Sequence, residues 1–398
     1  MNKTFILMSI LVGSMLSSCT TTSKNSMNAV IEKGLERSVE QAKYLATSLA
    51  DEPELLPRSA EADGTLITSD SHWWCSGFFS GVLWMLYNDT KEEVLKDYAI
   101  NYTDRIEKEQ YSLDTHDLGF MMYCSYGHAY RITGDAKYKN VILQSSKSLA
   151  SRYKEETGVI RSWDHSTDKW QYPVIIDNLM NLEMLEEAYK LSNNKLFDHI
   201  ARSHADRSML NHFRPDFSSC HVVDYDSITG KVLSICTHQG YADASSWSRG
   251  QAWGLYGYTM MYRETKNKAY LEFAKNIARF ILNHPNMPTD KIPYWDFDAP
   301  EIPNALRDAS AAAIIASALI ELSTYVDKNL SKEYLDIATT QLRTLTSDEY
   351  LAAPGTNGGF ILKHSVGNFP EQRELDVPLT YADYYYVEAL LRYKSLMK

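Results

Sequence analysis

The stretch from Gln171 to Leu185 reads QYPVIIDNLMNLEML, and Asp177 stands in it among Val174, Ile175, Ile176, Leu179, Met180 and Leu182. An ionised, unpaired carboxylate in such company costs several kcal/mol if it is buried. Asp177 therefore faces water, is satisfied by neighbours, or is there for its chemistry. Apolar surroundings raise an aspartate pKa and a helix N-terminus lowers it. A net rise would leave an acid still holding its proton near neutral pH, the state a general acid needs. Asp117, in THDLGF, opens another apolar, aromatic run. It either offsets the dipole of the helix that follows, worth about 0.3–1 kcal/mol, or works with a second carboxylate.

Arg249 and Trp253, in SSWSRGQAW, lie four residues apart and so share a helix face. Arg249 falls in the first turn of its helix, where a cation opposes the dipole. That placement suits an anionic ligand; a salt bridge to Asp243 is the structural alternative. Trp74 in HWWCSGFF and Trp163 in RSWDHS are candidates for stacking against a ligand or for the core. The group His199, His204, His212, Cys220, His221, Cys236 and His238 lacks metal-ligand spacing. His199 and His204 are five apart, and no HExxH or CxxC occurs. We expect no metal and no cofactor. There is no phosphate-binding loop and no Ser/His/Asp signature.

Helical signals dominate the elements that must position these residues. Five connectors look alike: YNDTKEEVLK, RITGDAKYKN, KLSNNKLFDH, RETKNKAYLE and VDKNLSKEYLD. Each closes an apolar helix, turns through Gly, Asn or Asp, and opens a charged amphipathic one. With an opening helix from about Ser26 and a closing one near Tyr381, the pattern predicts about twelve helices in six pairs. One set, starting at Trp74, Asp117, Val174, Ser245, Asp308 and Tyr381, is rich in Gly, Ala, Ser and aromatics and poor in charge; the other is one-sided. The expected fold is all-α, an (α/α)6 barrel of six helical hairpins with the apolar set inside. The long loops 153–173, 214–244 and 283–307 all precede inner helices. Six inner N-termini then converge on one mouth, which should favour an anion.

The net charge of −11 argues against a nucleic-acid partner. No obligate protein partner is evident. The N-terminus, MNKTFILMSILVGSMLSSC, has Lys3, an apolar run too short to span a bilayer, and small residues before Cys19. It resembles a bacterial lipoprotein signal with Cys19 as the lipidated residue. The expected organisation is a signal peptide over 1–18, a polar tether over 19–27 and a single catalytic barrel over 28–398. The protein would then be lipid-anchored in the cell envelope, facing the periplasm, and would meet the membrane only through that anchor. Cys75 and Cys124 read as buried thiols; Cys220 and Cys236 are either bridged or free.

THDLGFMMYCSYGHAYRITGD, YPVIIDNLMNLEML, GYADASSWSRGQAWGLYGY, DASAAAIIASALIEL and HSVGNFPEQRELDVPLTYADYYYVEALL together resemble the unsaturated glucuronyl hydrolases of glycoside hydrolase family 88. The likeness runs from about Leu56 to the C-terminus, and that family's fold is an (α/α)6 barrel. The resemblance implies a hydrolase that removes 4,5-unsaturated uronic acid from the non-reducing end of polysaccharide-lyase products. It implies hydration of the vinyl ether, with protonation at C4 and water at C5. Asp177 would be general acid and then base, Asp117 would bind the uronate hydroxyls and tune it, and His221, Gln239, Arg249 and Trp253 would line the sugar site. Where relatives often carry an acid before Trp74, this chain has Trp73. Lys363 and Arg373, in KHSVGNFPEQRELD, are either sulfate partners or solvated charges. The ligand implied is an anionic unsaturated oligosaccharide, glycosaminoglycan fragments foremost. A related barrel acting on pectin, an unsaturated rhamnogalacturonyl hydrolase, is the nearest rival. A lipid-anchored glycan-binding protein without catalysis is the rival from another class.

Overall fold

The computed structural model describes residues 18–398, with side chains from residue 27 onward. Most of the expected leader and the side chain of Cys19 therefore lie outside the described residues. Among the described residues the chain forms twelve α-helices: α1 (Ser18–Ser48), α2 (Phe78–Thr90), α3 (Glu93–Asp104), α4 (His128–Thr133), α5 (Ala136–Ala150), α6 (Leu182–Ser192), α7 (Lys195–Asn211), α8 (Ser248–Thr265), α9 (Lys268–Asn283), α10 (Ala309–Leu322), α11 (Lys328–Leu345) and α12 (Thr380–Leu396). The helix opens at Ser18 rather than near Ser26, since TTTSKNSMN holds no Gly or Pro to stop it.

Even-numbered helices form the inner ring. Each packs on the next: α2 on the segment before α4, then α6, α8, α10, α12 and back to α2. Each odd-numbered helix from α3 to α11 leans on the outside of the inner element before it, and α1 packs on α12 and α2. The inner set is buried nearly all round, as its lack of charge requires; α10, ASAAAIIASALIEL, is buried at all but one of its positions. Small residues allow the crowding. A Cβ on Gly77 would stand 2.0 Å from the Met121 carbonyl oxygen, and one on Gly81 2.2 Å from that of Cys124.

Two inner helices depart from a plain α-helix. Residues Gly119–Gly127, ahead of α4, are wound as a π-helix, a local form common at functional sites. Ahead of α6, Pro173–Ile175 is a strand and Ile176–Asn181 a 3₁₀ turn. Asp177 thus sits in the first turn of an inner element, not in a helix interior.

Among the described residues nine short strands supplement the helices: β1 (Leu56–Ala60), β2 (Leu66–Ser69), β3 (Tyr153–Lys154), β4 (Val159–Ile160), β5 (Pro173–Ile175), β6 (Val222–Tyr225), β7 (Val232–Cys236), β8 (Ser365–Asn368) and β9 (Arg373–Val377). Every one lies in a loop leading from an outer helix to an inner one, so they all gather at the mouth. They pair as β1–β2, β3–β4, β5–β6–β7 and β8–β9, all antiparallel. Cys75, Cys124, Cys220 and Cys236 are free thiols, so no Cys220–Cys236 bridge forms.

The opposite end is closed by short connectors and plugged by charge. Arg263 binds Glu183 (2.6 Å), Glu264 (2.9 Å) and Glu321 (2.7 Å). Arg392 reaches Glu321 (3.0 Å) and Glu388 (3.4 Å) and donates to the Tyr256 hydroxyl. These residues come from α6, α8, α10 and α12, so the network ties four inner helices together. Arg263→Met would strand Glu183, which has no other cation, in a half-buried setting, while Glu321 keeps Arg392 and Glu264 keeps Lys190. Full burial would cost about 3–5 kcal/mol; at one-quarter exposure of the arginine we expect about 2–3 kcal/mol. Thermal unfolding should show a drop of several degrees, and an unchanged midpoint would mean that the network is not needed to hold the barrel.

Candidate active site

The mouth opens into a cavity of about 580 Å3 whose walls come from every layer above the inner ring. Asp117, Asp177, Gln239, Arg249, Trp74 and Trp163 all line it. Asp117 precedes the π-helical turn, Asp177 sits in the 3₁₀ turn after β5, Gln239 follows β7, and Arg249 is the second residue of α8. The convergence of inner N-termini thus gathers residues spread over 175 positions of sequence, from Trp74 to Arg249.

Asp177 is 8 % exposed, and its Oδ2 has no hydrogen-bond partner. Burial pushes its pKa up to about 7; the Arg249 guanidinium pulls the other way, and the charge of Asp117 adds to the rise. Asp117 is likewise pushed up to about 7 by burial, opposed by the Thr115 hydroxyl, which donates to its Oδ2 at 3.0 Å, and by Arg152. Two carboxyls that raise each other's cost of ionisation release their protons as a coupled pair.

Behind Asp177 lies His221. Its Nδ1 accepts from the backbone N–H groups of His238 (3.0 Å) and Gln239 (3.1 Å), which confines the proton to Nε2. That Nε2 has no partner and stands 3.9 Å from Asp177 Oδ2. Burial holds the ring neutral, far below the usual imidazole range. His221 therefore backs the site without lining the cavity. Trp253 does not line it either: it is fully buried against Phe120 and Tyr385. The spacing of four from Arg249 does put both on one face. The α8 axis runs away from the mouth, however, so Trp253 lies about one turn deeper, beneath the floor, where its indole N–H acts on Asp177 and opposes the rise of that carboxyl's pKa.

Arg249 is buried and has no contact with Asp243. Its Nη2 donates to the Gly367 carbonyl at 2.6 Å, its Nη1 to the Val366 carbonyl, and Asp308 stands 3.4 Å from Nη1. Its Nε is without a partner. The β8–β9 hairpin thus grips the cation, while Asp308 caps α10 by accepting from Ser310 N. Trp74 packs on Tyr381 and Phe120 as part of an aromatic floor. Trp163 stacks on His165 (5.1 Å between ring centres) at the rim.

Sequence reasoning missed Arg58, Asn368, Glu374 and Tyr381, which also line the cavity. Arg58 bonds Glu374 at 2.6 Å and lies 4.0 Å over the Trp73 ring, so Trp73 shapes the wall through an arginine. Asn368, Glu374 and Tyr381 all stand in HSVGNFPEQRELDVPLTYADYYYVEALL, where no spacing marks them as lining residues; Arg58 is carried by β1, which has no local signature. Arg373 lines the cavity and pairs with Glu371. Lys363 is outside it, donating to the Asp348 carbonyl at 2.9 Å. Among the described residues no group of three or more His, Cys, Asp or Glu could hold a metal ion.

The sequence pattern of Glycosyl Hydrolase Family 88 matches residues 56–393. An unsaturated glucuronyl hydrolase of Formosa agariphila is 48% identical over 325 residues, covering 81% of this chain and 80% of its own. An unsaturated chondroitin disaccharide hydrolase of Streptococcus pneumoniae is 33% identical over 349 residues, 85% of this chain and 86% of its own. The crystal structure of an unsaturated glucuronyl hydrolase specific for heparin superposes with a TM-score of 0.90 at 49% identity, covering 93% of this chain and 98% of that one.

The raised aspartate has a consequence for stability. Below about pH 4 Asp177 is protonated whether the chain is folded or not. As pH rises to about 7 the unfolded chain gives up that proton while the folded chain keeps it, so stability falls; above about 7 the full cost is present. Asp177→Asn has no proton to lose. The variant's advantage in unfolding free energy over wild type should grow from near zero at about pH 4 to about 2–4 kcal/mol above pH 7. A flat difference in denaturant titrations across that range would show that Asp177 is not buried as an acid.

Proposed function

The chain belongs to Glycosyl Hydrolase Family 88, and from that we propose that it removes the 4,5-unsaturated uronic acid from the non-reducing end of oligosaccharides left by polysaccharide lyases, glycosaminoglycan fragments foremost. The observation that carries the reading is Asp177: a buried carboxyl with an unpartnered oxygen, open to the cavity, whose pKa is pushed up to about 7. Delivering a proton to carbon at neutral pH needs an acid of that kind. A protein that only held a glycan would gain nothing from the cost of burying one.

In this mechanism Asp177 delivers its proton to C4 of the double bond. Cationic character develops at C5 and the ring oxygen. The carboxylate left on Asp177 then takes a proton from water as that water adds at C5. The hemiketal so formed opens and expels the neighbouring sugar. The Nε2–H of His221, fixed by its two backbone donors, faces the carboxylate at 3.9 Å and supports its charged form. Asp117 binds the uronate hydroxyls and, through its charge, keeps Asp177 protonated at the start. Arg249 supplies the positive field for the uronate carboxylate. Trp74 and Trp163 offer apolar faces to the sugar rings. The pectin-fragment alternative is disfavoured by the relatives, which are glucuronyl and chondroitin disaccharide hydrolases at 48% and 33% identity.

We also propose that the protein is a lipoprotein of the bacterial cell envelope, facing the periplasm. The support is Leu16-Ser17-Ser18-Cys19 after a short apolar run.

Turnover is followed as loss of the ultraviolet absorbance of an unsaturated glycosaminoglycan disaccharide. Asp177→Asn keeps shape and loses the proton, so kcat should fall by about 10²–10⁴-fold or more with KM nearly unchanged. Because the acid must start protonated, wild-type kcat should decline as pH rises through about 7. A variant keeping more than about a tenth of wild-type kcat would remove Asp177 from the mechanism. Separately, Cys19→Ser should release the protein from the membrane fraction with its activity on a small substrate intact. Equal retention of the two would dispose of the lipid anchor.

A further inference from the structure

The closed end of the barrel differs in charge from the rest of the molecule. The five connectors that join inner helices to outer ones, with residues 392–398, hold 15 Lys and Arg against 10 Asp and Glu, in a chain that holds 40 against 51. Arg263 and Arg392 are spent on the internal network and Arg131 donates to the Tyr123 hydroxyl at 2.8 Å, so apart from Arg131 the outward positive charge is lysine. Each of the five connectors carries at least one lysine with no carboxylate within 4.0 Å among the described residues: Lys91, Lys139, Lys195, Lys266 and Lys268, and Lys328. All but Lys139, which is half-buried, are exposed. Local stability does not ask for them. Lys91 and Lys266 sit at left-handed helix ends (φ 60° and 56°), where Gly or Asn is the easier choice. Lys195, Lys268 and Lys328 open α7, α9 and α11, where the helix dipole disfavours a cation. Exposed aliphatic side chains stand among them: Val94, Leu196 and Leu396.

We infer that the closed end of the barrel docks on an anionic lipid bilayer, which leaves the mouth facing away from the membrane. Lysines spread around a face, with aliphatic side chains between them, match a plane of negative headgroups above an apolar layer. Arginine forks gathered in a groove, the pattern that reads sulfate or carboxylate on a single glycan chain, are absent from the connectors' outward-facing residues. The remainder of the protein, with its excess of acid, is repelled by the same surface, so attraction and repulsion set one orientation. The proposed anchor agrees: α1 ends at the mouth, where it leads into β1, so its start is directed away from the mouth. The docking surface itself does not depend on the anchor, and the experiment is therefore run without acyl chains.

The full chain carrying Cys19→Ser is sedimented with phosphatidylcholine vesicles, with and without phosphatidylglycerol. Binding is expected only with phosphatidylglycerol, and it should weaken as salt is raised. Adding Lys195→Glu, Lys268→Glu and Lys328→Glu should weaken it by about tenfold or more. An acid in the first turn suits all three helices, so unchanged turnover of a small substrate will show that the barrel is intact. Equal vesicle binding by the triple variant, or no vesicle binding by its parent, overturns the inference. Retention on immobilised heparin without vesicle binding makes the closed end a polysaccharide surface instead, and overturns it too. Fractionation of the acylated chain tests the anchor independently.

Discussion

A carboxyl held out of water with one oxygen unpartnered is the constraint on which the rest of this structure turns. Asp177 is costly to ionise where it sits, and an open or pliable site would relieve that cost by admitting water or by letting the side chain swing out. The barrel prevents the swing and leaves Asp177 only its cavity side for water to reach. Inner helices approach to within backbone contact at Gly77 and Gly81, so the floor does not breathe. Aromatic rings of Trp74, Phe120, Trp253, Tyr381 and Tyr385 fill the space beneath. At the far end, the Arg263 and Arg392 network ties four inner helices together.

The mouth uses a different material. All the strands lie there, in loops between outer and inner helices. Helix N-termini alone offer partial charge and free N–H groups, but they do not fix side chains across a cavity as wide as a sugar. Strand pairs do. The β5–β6–β7 sheet sets Asp177 at its end and carries His221 beside β6. The β8–β9 hairpin presents two carbonyls that hold Arg249. Arg249 is thus a cation whose position is set by backbone from a segment more than a hundred residues away, and its charge is only partly answered by Asp308 at 3.4 Å. What remains of its field is directed into the cavity.

Much of this was legible without coordinates. The alternation of charge-poor and amphipathic helices, and the repeated connectors, determined six hairpins and the inner and outer assignment, because burial on all sides excludes charge. The same pattern determined that Asp117, Asp177 and Arg249 would meet at one end. The oddity of Asp177 was visible too, since a lone acid among aliphatic neighbours is costly wherever it lies. Tertiary structure decided the rest. Whether Arg249 answered Asp243 or something else depended on a hairpin that pairs only after the barrel closes, and the partners proved to be Val366, Gly367 and Asp308. Trp253 shares a helix face with Arg249, but depth along α8 puts it under the floor. The Nε2–H of His221 is fixed by backbone donors of His238 and Gln239, which no spacing announces. Periodicity reports which side of an element is dry; it carries no information on which dry surfaces meet, because that is settled by long-range pairing of strands and by the direction in which each helix enters the barrel.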